Sequence, residues 1–297
     1  MPVSIAAPRF ALRRARPALG TLVDIRVEAA SDERAREAMA AAFAEIDAVH
    51  RLMSFHDGGS DLSRLNRAVP GERIRVDVRT AEVLGVAEQL RLDSHGAFDC
   101  AVADTLVAQG LLPRPSIPGP HDRADGASID RAGEDAIGAA VTRGDERLDL
   151  GGIAKGFAVD RAIDALRQLG ASAGVVDAGG DLRHFGSVPS RVHLRDPADP
   201  SSIVATLELR DAALASSATS GLAASAPSHP RRPSALVDPR DRRRAKPLAP
   251  GAGASVMAAT CVLADALTKV VLVTGDPRHS LLARHRATLV LHRPASP

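Results

Sequence analysis

Residues 147–181 read RLDLGGIAKGFAVDRAIDALRQLGASAGVVDAGGD, and this stretch decides how the chain folds. Residues 148–150 are predicted to form a short strand, which ends in the first of two Gly-Gly pairs, where the backbone can turn tightly. Apolar residues then recur at roughly helical spacing as far as Gly170, a residue type that commonly ends a helix. A second strand around residues 174–176 leads to the second glycine pair. This order of strand, helix and strand predicts an α/β fold.

The first glycine pair, Gly151 and Gly152, lies between a carboxylate and a lysine. Such a turn directs backbone N–H groups and a helix N-terminus at one spot, which suits an anion such as a diphosphate. Lys155 adds a positive charge there, whereas Asp149 and the turn carbonyls offer oxygens to a hard cation. Ordinary glycine turns, or an ion pair between Lys155 and Asp149, are the plainer alternatives. The GxxxxGK[ST] and GxGxxG spacings are absent from this stretch, so neither a P-loop nor a Rossmann dinucleotide motif is predicted.

Composition and charge limit the kinds of partner and the class of protein that the sequence predicts. The chain of 297 residues has a formal net charge of +2, so nothing predicts a nucleic-acid partner. It contains no Trp, no Tyr and six Phe, so its core must be packed mainly with Ala, Val, Leu and Ile. Its two cysteines, Cys100 and Cys261, are too few for a disulfide framework and fit no metal spacing. No apolar segment is long enough to predict a transmembrane helix.

The N-terminal segment is basic and interrupted by proline. It lacks the sustained apolar run of a signal peptide, which predicts a cytoplasmic protein. We expect residues 1–17 to form a flexible arm. Residues 18–297 are predicted to form a single domain, with two interleaved lobes as its expected internal arrangement.

The remaining pattern predicts helices and strands along the whole chain. Strands are predicted over 21–27, 191–195, 203–209 and 288–291. Helices are predicted from a cap at Ser31 or Asp32 to about residue 53, over 80–92, and from Asp265 into a following strand. Residues 54–66, 113–126 and 225–250 are predicted to be loops. The fold class is therefore α/β, with mixed sheets and helices on their outer faces.

Six short motifs, in this order, resemble those of the ApbE-type flavin transferases, the FAD:protein FMN transferases. They are LGT at 19–21, MSFH with SDLSRLN at 53–66, GAFD at 96–99, LDLGGIAKGFAVD with DAGGDLR at 148–183, VDPR at 237–240, and ADAL at 264–267. The resemblance spans about residues 18–275, and no single motif carries it alone.

The resemblance implies the ApbE-like fold and a reaction. It implies that FAD is cleaved at its diphosphate with Mg²⁺, that FMN is attached to a Thr or Ser hydroxyl of a flavin-acceptor protein, and that AMP is released. The FAD-binding residues implied by the matching motifs are His56, Ala97, Phe98, Asp99, Asp149 and Lys155. The implied metal ligands are the carbonyl of Gly152, Asp265 and Thr268. No catalytic residue is assigned. An FAD hydrolase yielding FMN and AMP, or a non-catalytic FAD-binding protein, is the alternative.

This chain departs from the family pattern at several positions. His56 stands where members usually have Tyr, and Ala235 stands where they have a loop histidine, which predicts slow turnover. Lys269 follows Asp265 by one helical turn, where the family has an oxygen ligand to the metal. Its ammonium is expected either to replace the metal by pairing with Asp265, or to extend away and leave a weaker ion site, or to point to solvent. Many family members are exported, so a periplasmic or membrane-associated location is the alternative to the cytoplasm.

Overall fold

The computed structural model of the protein describes residues 10–114, 138–142, 144–196, 201–219, 236–240, 246–247 and 253–293. The helices within these ranges are α1 (Asp32–Met53), α2 (Asp61–Arg67), α3 (Val78–Asp93), α4 (Ala103–Ala108), α5 (Ala154–Gln168), α6 (Cys261–Thr274) and α7 (Ser280–Arg284). The strands are β1 (Phe10–Ala18), β2 (Thr21–Ala29), β3 (Arg73–Val76), β4 (Ala139–Thr142), β5 (Ala173–Ala178), β6 (Asp181–Phe185), β7 (Ser190–Arg195), β8 (Ile203–Leu209), β9 (Ala213–Ala218), β10 (Val237–Asp238), β11 (Lys246–Pro247), β12 (Gly253–Ala258) and β13 (Thr288–Arg293).

A seven-stranded sheet forms the centre of the molecule. Its strand order is β1-β2-β5-β6-β9-β12-β13, and each of its pairings is antiparallel. The pairs β3–β4, β7–β8 and β10–β11 form separate two-stranded ribbons. This arrangement confirms the predicted combination of helices with sheets.

The two faces of the central sheet are covered by different elements. On one face, alternate residues of β2 such as Val23 and Ile25 join the main core together with the apolar sides of α1, α5 and α6. On the other face, Leu182 and Leu214 form a small cluster with leucines of the β7–β8 ribbon. The helices that carry the site therefore lie together on one face of the sheet.

Helix α1 follows the predicted pattern closely. The Ser31 hydroxyl accepts the backbone N–H of Arg34 at 3.2 Å, so it caps the helix as expected. Its buried face is rich in alanine, which allows it to pack closely against the sheet and α5. None of the helices that the structure describes is both long and apolar enough to cross a membrane.

Several elements differ from the sequence-based expectations. Residues 10–17, predicted as part of an arm, form strand β1 and pair with β2 along its whole length. Residues 61–66, predicted as part of a loop, lie in α2, which the Ser60 hydroxyl caps by accepting the N–H of Ser63. Residues 1–9 lie outside the described part of the chain.

Two further differences concern the stretches that border the site. Residues 148–150 form no strand; the side chain of Asn66 binds the backbone N–H and C=O of Leu148, each at 2.8 Å, in place of a neighbouring strand. Helix α6 begins at Cys261 and continues through Asp265 to Thr274 without becoming a strand. Gly275 ends it in the left-handed conformation, with φ 67°.

Candidate functional site

Two adjoining hollows lie beside the Gly151-Gly152 turn. The larger one is a cleft of about 510 Å³ and the smaller one holds about 50 Å³. Both are bordered by Asp149, Gly152, Leu236 and Lys269, so they meet at these residues. The arrangement provides a two-part binding region joined at its centre.

The predicted FAD-binding residues are distributed over these two hollows. His56 and Lys155 line the large cleft, and Asp149 borders both hollows. The smaller hollow is lined by Ala97, Phe98 and Asp99. The structure therefore brings together all six of these residues, although they come from separate parts of the sequence. Their binding role stays a prediction.

The loop that carries Asp149 is held in place by side chains and backbone from distant segments. The backbone N–H of Asp149 donates to the carbonyl of Cys100 at 2.8 Å, which ties the loop to the segment after Phe98. One carboxylate oxygen of Asp149 accepts the N–H of Gly151 at 3.2 Å. Burial raises the pKa of Asp149, while this N–H group and the nearby His56 act to lower it.

A carboxylate from each of α5 and α6 accepts backbone N–H groups at the N-terminus of the other helix. Asp160 of α5 accepts the backbone N–H groups of Cys261 and Val262, both at 2.8 Å. In return, Asp265 of α6 accepts the N–H of Gly156 at 3.2 Å. Each carboxylate therefore satisfies N–H groups that a helix start leaves without an intrahelical partner. This exchange fixes the position of α6 against the start of α5.

Four charged side chains form a cluster between these helices, which we call the lysine–aspartate cluster: Lys155, Asp181, Asp265 and Lys269. Lys155 forms an ion pair with Asp181, and Lys269 forms one with Asp265. Both aspartates are fully buried, whereas the side chains of Lys155 and Lys269 are 32% and 13% exposed. The cluster therefore directs its positive side towards the cleft and its negative side into the core.

Two alternatives considered for these lysines are excluded by the pairing. Lys155 forms its ion pair with Asp181, so the alternative pairing with Asp149 is not the one formed. Lys269 does not point to solvent, because it pairs with Asp265 within α6. Asp181 was not predicted as a site residue, although its place directly behind the second glycine pair was a signal that it faces the first.

Burial and neighbouring charges shift the pKa values of Asp181 and Lys155. Burial, together with the nearby negative charge of Asp265, raises the pKa of Asp181 to about 6 despite the opposing effect of Lys155. For Lys155, burial acts to lower the pKa, but Asp265 and Asp181 outweigh it and the pKa is raised. Lys155 is therefore a permanent cation at neutral pH.

The raised pKa of Asp181 predicts a pH dependence of stability. Its contribution to the free energy of unfolding is fully present below the ordinary pKa of 3.8 and is lost as the pH rises through about 6. Urea unfolding between pH 4 and 7 should therefore show the wild type losing roughly 1–3 kcal/mol relative to Asp181→Asn, since asparagine does not ionise. A difference between the two proteins that stays constant over this range would contradict the assignment.

Two of the three predicted metal ligands, Asp265 and Thr268, already form hydrogen bonds or ion pairs with protein groups. The two carboxylate oxygens of Asp265 bind Lys269 and the N–H of Gly156. The Thr268 hydroxyl donates to the carbonyl of Asp265 and bonds the hydroxyl of Ser217, both at 2.7 Å. Within the described ranges no group of three or more His, Cys, Asp or Glu side chains could hold a metal ion. These residues, as arranged, do not fit an oxygen-liganded divalent cation.

Sequence comparison agrees with the motifs found along the chain. The model of the ApbE family matches residues 19–291, which include all six motif segments and the lysine–aspartate cluster. The chain belongs to the ApbE family. Family membership confirms the resemblance inferred from the sequence.

Two ApbE relatives and one solved structure show how far this similarity extends. An FAD:protein FMN transferase of Rhodobacter capsulatus is 29% identical over 277 residues, which cover 86% of this chain and 50% of that protein. One of Vibrio cholerae is 27% identical, with 83% and 76% coverage. The chain thus spans about half the length of the first relative. The crystal structure of the ApbE protein of Thermotoga maritima matches with a TM-score of 0.72 at 22% identity and covers 97% of each chain, which confirms the predicted ApbE fold.

Proposed function

We propose that this ApbE protein transfers FMN from FAD to a Ser or Thr hydroxyl of an acceptor protein. In this reaction the acceptor oxygen bonds to the phosphorus of the FMN half, and the bond from that phosphorus to the bridging oxygen breaks. AMP leaves with the bridging oxygen, and the hydroxyl proton is taken up by a base. The relatives named as FAD:protein FMN transferases support this choice of reaction.

The observation that carries the proposal is the junction of the two hollows. FAD consists of a flavin half and an adenosine half joined by a diphosphate, so its site needs two compartments and a positive centre. The large cleft has the volume for a flavin ring, and the smaller hollow offers Phe98 as an apolar wall beside Asp99. Lys269 borders both hollows, and Lys155 lies on the cleft side of the junction.

The resemblance to the family also implies Mg²⁺, which on a diphosphate would neutralise charge. Its implied ligands would be Asp265, Thr268 and the carbonyl oxygen of Gly152. Asp265 and Thr268 already bind other protein groups. No step of the proposed reaction is therefore assigned to a metal. The base also stays unassigned, since alanine, which cannot take up a proton, stands at position 235 where the family resemblance implies a histidine. Residue 235 itself lies outside the described residues.

A product assay tests the proposal. The purified protein is mixed with FAD and an acceptor protein that carries a flavinylation site, once with Mg²⁺ and once with EDTA. Intact-mass spectrometry should show the acceptor heavier by one FMN less one water, with an equal amount of AMP in solution. Free FMN and AMP without labelled acceptor would instead identify an FAD hydrolase. Bound, unreacted FAD would identify a binding protein, and either result would overturn the transfer reaction.

A further inference from the structure

The lysine–aspartate cluster presents the ammonium group of Lys269 at the junction of the two hollows and that of Lys155 in the large cleft beside it. Both lysines line the large cleft, and their partners Asp181 and Asp265 lie fully buried behind them. An anion that enters the cleft therefore meets the positive ends of both ion pairs first. Each ammonium has three N–H donors, and one carboxylate contact leaves donors for a ligand.

Lysine is an unusual residue type for this chain, and it occurs at both of these positions. Among its 38 Lys and Arg residues there are three lysines, and Lys155 and Lys269 are two of them. At almost every other basic position the chain uses arginine, so the composition does not account for lysine here. An ammonium differs from a guanidinium in being a compact point charge with three N–H donors on a flexible stem. The side chain of Lys269 lies beside the glycine turn, since an added Cβ at Gly152 would be in ordinary van der Waals contact, 3.8 Å, with Cε of Lys269.

The oxygen atoms around the cluster do not offer a divalent cation its usual shell. Mg²⁺ prefers six oxygens in near-octahedral geometry. Both carboxylate oxygens of Asp265 and the hydroxyl of Thr268 already bind protein groups. Among the described residues of the cluster, Oδ1 of Asp181 is the single carboxylate oxygen without a hydrogen-bond partner. Lys269 places its own positive charge where such an ion would have to bind Asp265.

We propose that Lys155 and Lys269 bind the FAD diphosphate in place of a divalent cation, so that this protein binds FAD without Mg²⁺. The two ammonium charges match the two negative charges of the diphosphate, and their partners keep both side chains aimed at the junction. The inference rests on the proposed function, since it takes FAD as the ligand. It adds a specific departure from the metal dependence that the family resemblance implies.

Calorimetric titration with FAD in EDTA and in Mg²⁺ tests the inference, using wild type, Lys269→Met and Lys269→Thr. We expect wild-type affinity for FAD to be the same in both buffers within about twofold, because the two ammonium groups already bind the diphosphate where Mg²⁺ otherwise would. One such charge-assisted contact is worth about 10- to 100-fold in affinity. Lys269→Met should bind FAD about 10- to 100-fold more weakly in both buffers. Lys269→Thr, which frees Asp265 and adds an oxygen, should recover affinity in Mg²⁺ and not in EDTA.

The Lys269→Met variant leaves Asp265 buried without its cation, so its fold needs a control. The double variant Lys269→Met/Asp265→Asn removes both charges, and the asparagine keeps an acceptor for the N–H of Gly156. It should melt as cooperatively as the wild type and still bind FAD weakly in both buffers. Wild-type-like FAD affinity in this folded double variant would overturn the inference.

The remaining outcomes separate this inference from the proposed function. FAD binding that rises tenfold or more with Mg²⁺, equally in wild type and Lys269→Thr, would overturn the inference and leave the transferase standing. Tight binding in EDTA without any transfer product would support the inference and overturn the transferase. A wild type that binds FAD in neither buffer would overturn both.

Discussion

Replacing Gly156 with alanine is expected to destabilise the protein by about 3 kcal/mol or more. An added Cβ would lie 2.4 Å from the carbonyl oxygen and 2.7 Å from the carbonyl carbon of Cys261. These are backbone atoms at the start of α6, so the contact is relieved only if α5 and α6 separate. Separation would stretch the hydrogen bonds that Asp160 and Asp265 accept across the two helices. Urea unfolding of both proteins measures the loss.

Gly85→Ala provides a matched control within another helix. Gly85 lies inside α3, and an added Cβ there would meet no atom within 4 Å. Alanine should therefore stabilise the protein by about 0.5–1 kcal/mol through helix propensity. If Gly156→Ala were as stable as the wild type, the close contact between α5 and α6 would be disproved.

The second large effect is expected from Lys155→Met, which should slow product formation by about 100-fold or more. The substitution keeps an unbranched side chain, one heavy atom shorter, and removes the ammonium that faces the cleft. The same change leaves Asp181 buried without its partner, which costs stability as well. The initial rate of FMN transfer, measured at saturating acceptor, reports the catalytic loss separately from unfolding if the folded fraction is measured in parallel.

A double variant separates the two effects of Lys155. Lys155→Met/Asp181→Asn removes both charges, so it should recover most of the stability that the single variant loses. Its transfer rate should stay as low as that of Lys155→Met, because the ammonium is still missing. A double variant that transfers FMN at the wild-type rate would show that Lys155 serves only to neutralise Asp181.

The sequence predicted those parts of the fold whose signals are local. The Ser31 cap, the alanine-rich face of α1 and the glycine after α5 are patterns within one helix, and the structure has each of them. Strand β1 was missed because its arginines make it appear polar, although an edge strand with exposed sides can carry them. Leu19 and Gly20 join β1 to β2, and both have positive φ angles. A leucine does not predict such a turn, because positive φ favours glycine.

In the site, too, features with a local sequence signal were predicted and contacts between distant segments were not. Motif residues such as Phe98, Asp99 and Asp149 could be assigned from short stretches, and they lie together. The pairing of Lys155 was missed, because Asp149 is nearer in sequence and Asp181 reaches Lys155 through the β5–β6 hairpin. The contact from Asp265 to Gly156 joins residues 109 positions apart, and no local pattern encodes such a distance.

The most direct test of the account is a crystal structure of the protein with FAD bound in the presence of EDTA. We expect the diphosphate at the junction of the two hollows, with its oxygens about 2.7–3.2 Å from Nζ of both Lys155 and Lys269. The flavin should occupy the large cleft beside His56, and the adenosine half should lie against Phe98. FAD bound elsewhere, or a diphosphate that contacts neither lysine, would contradict the account.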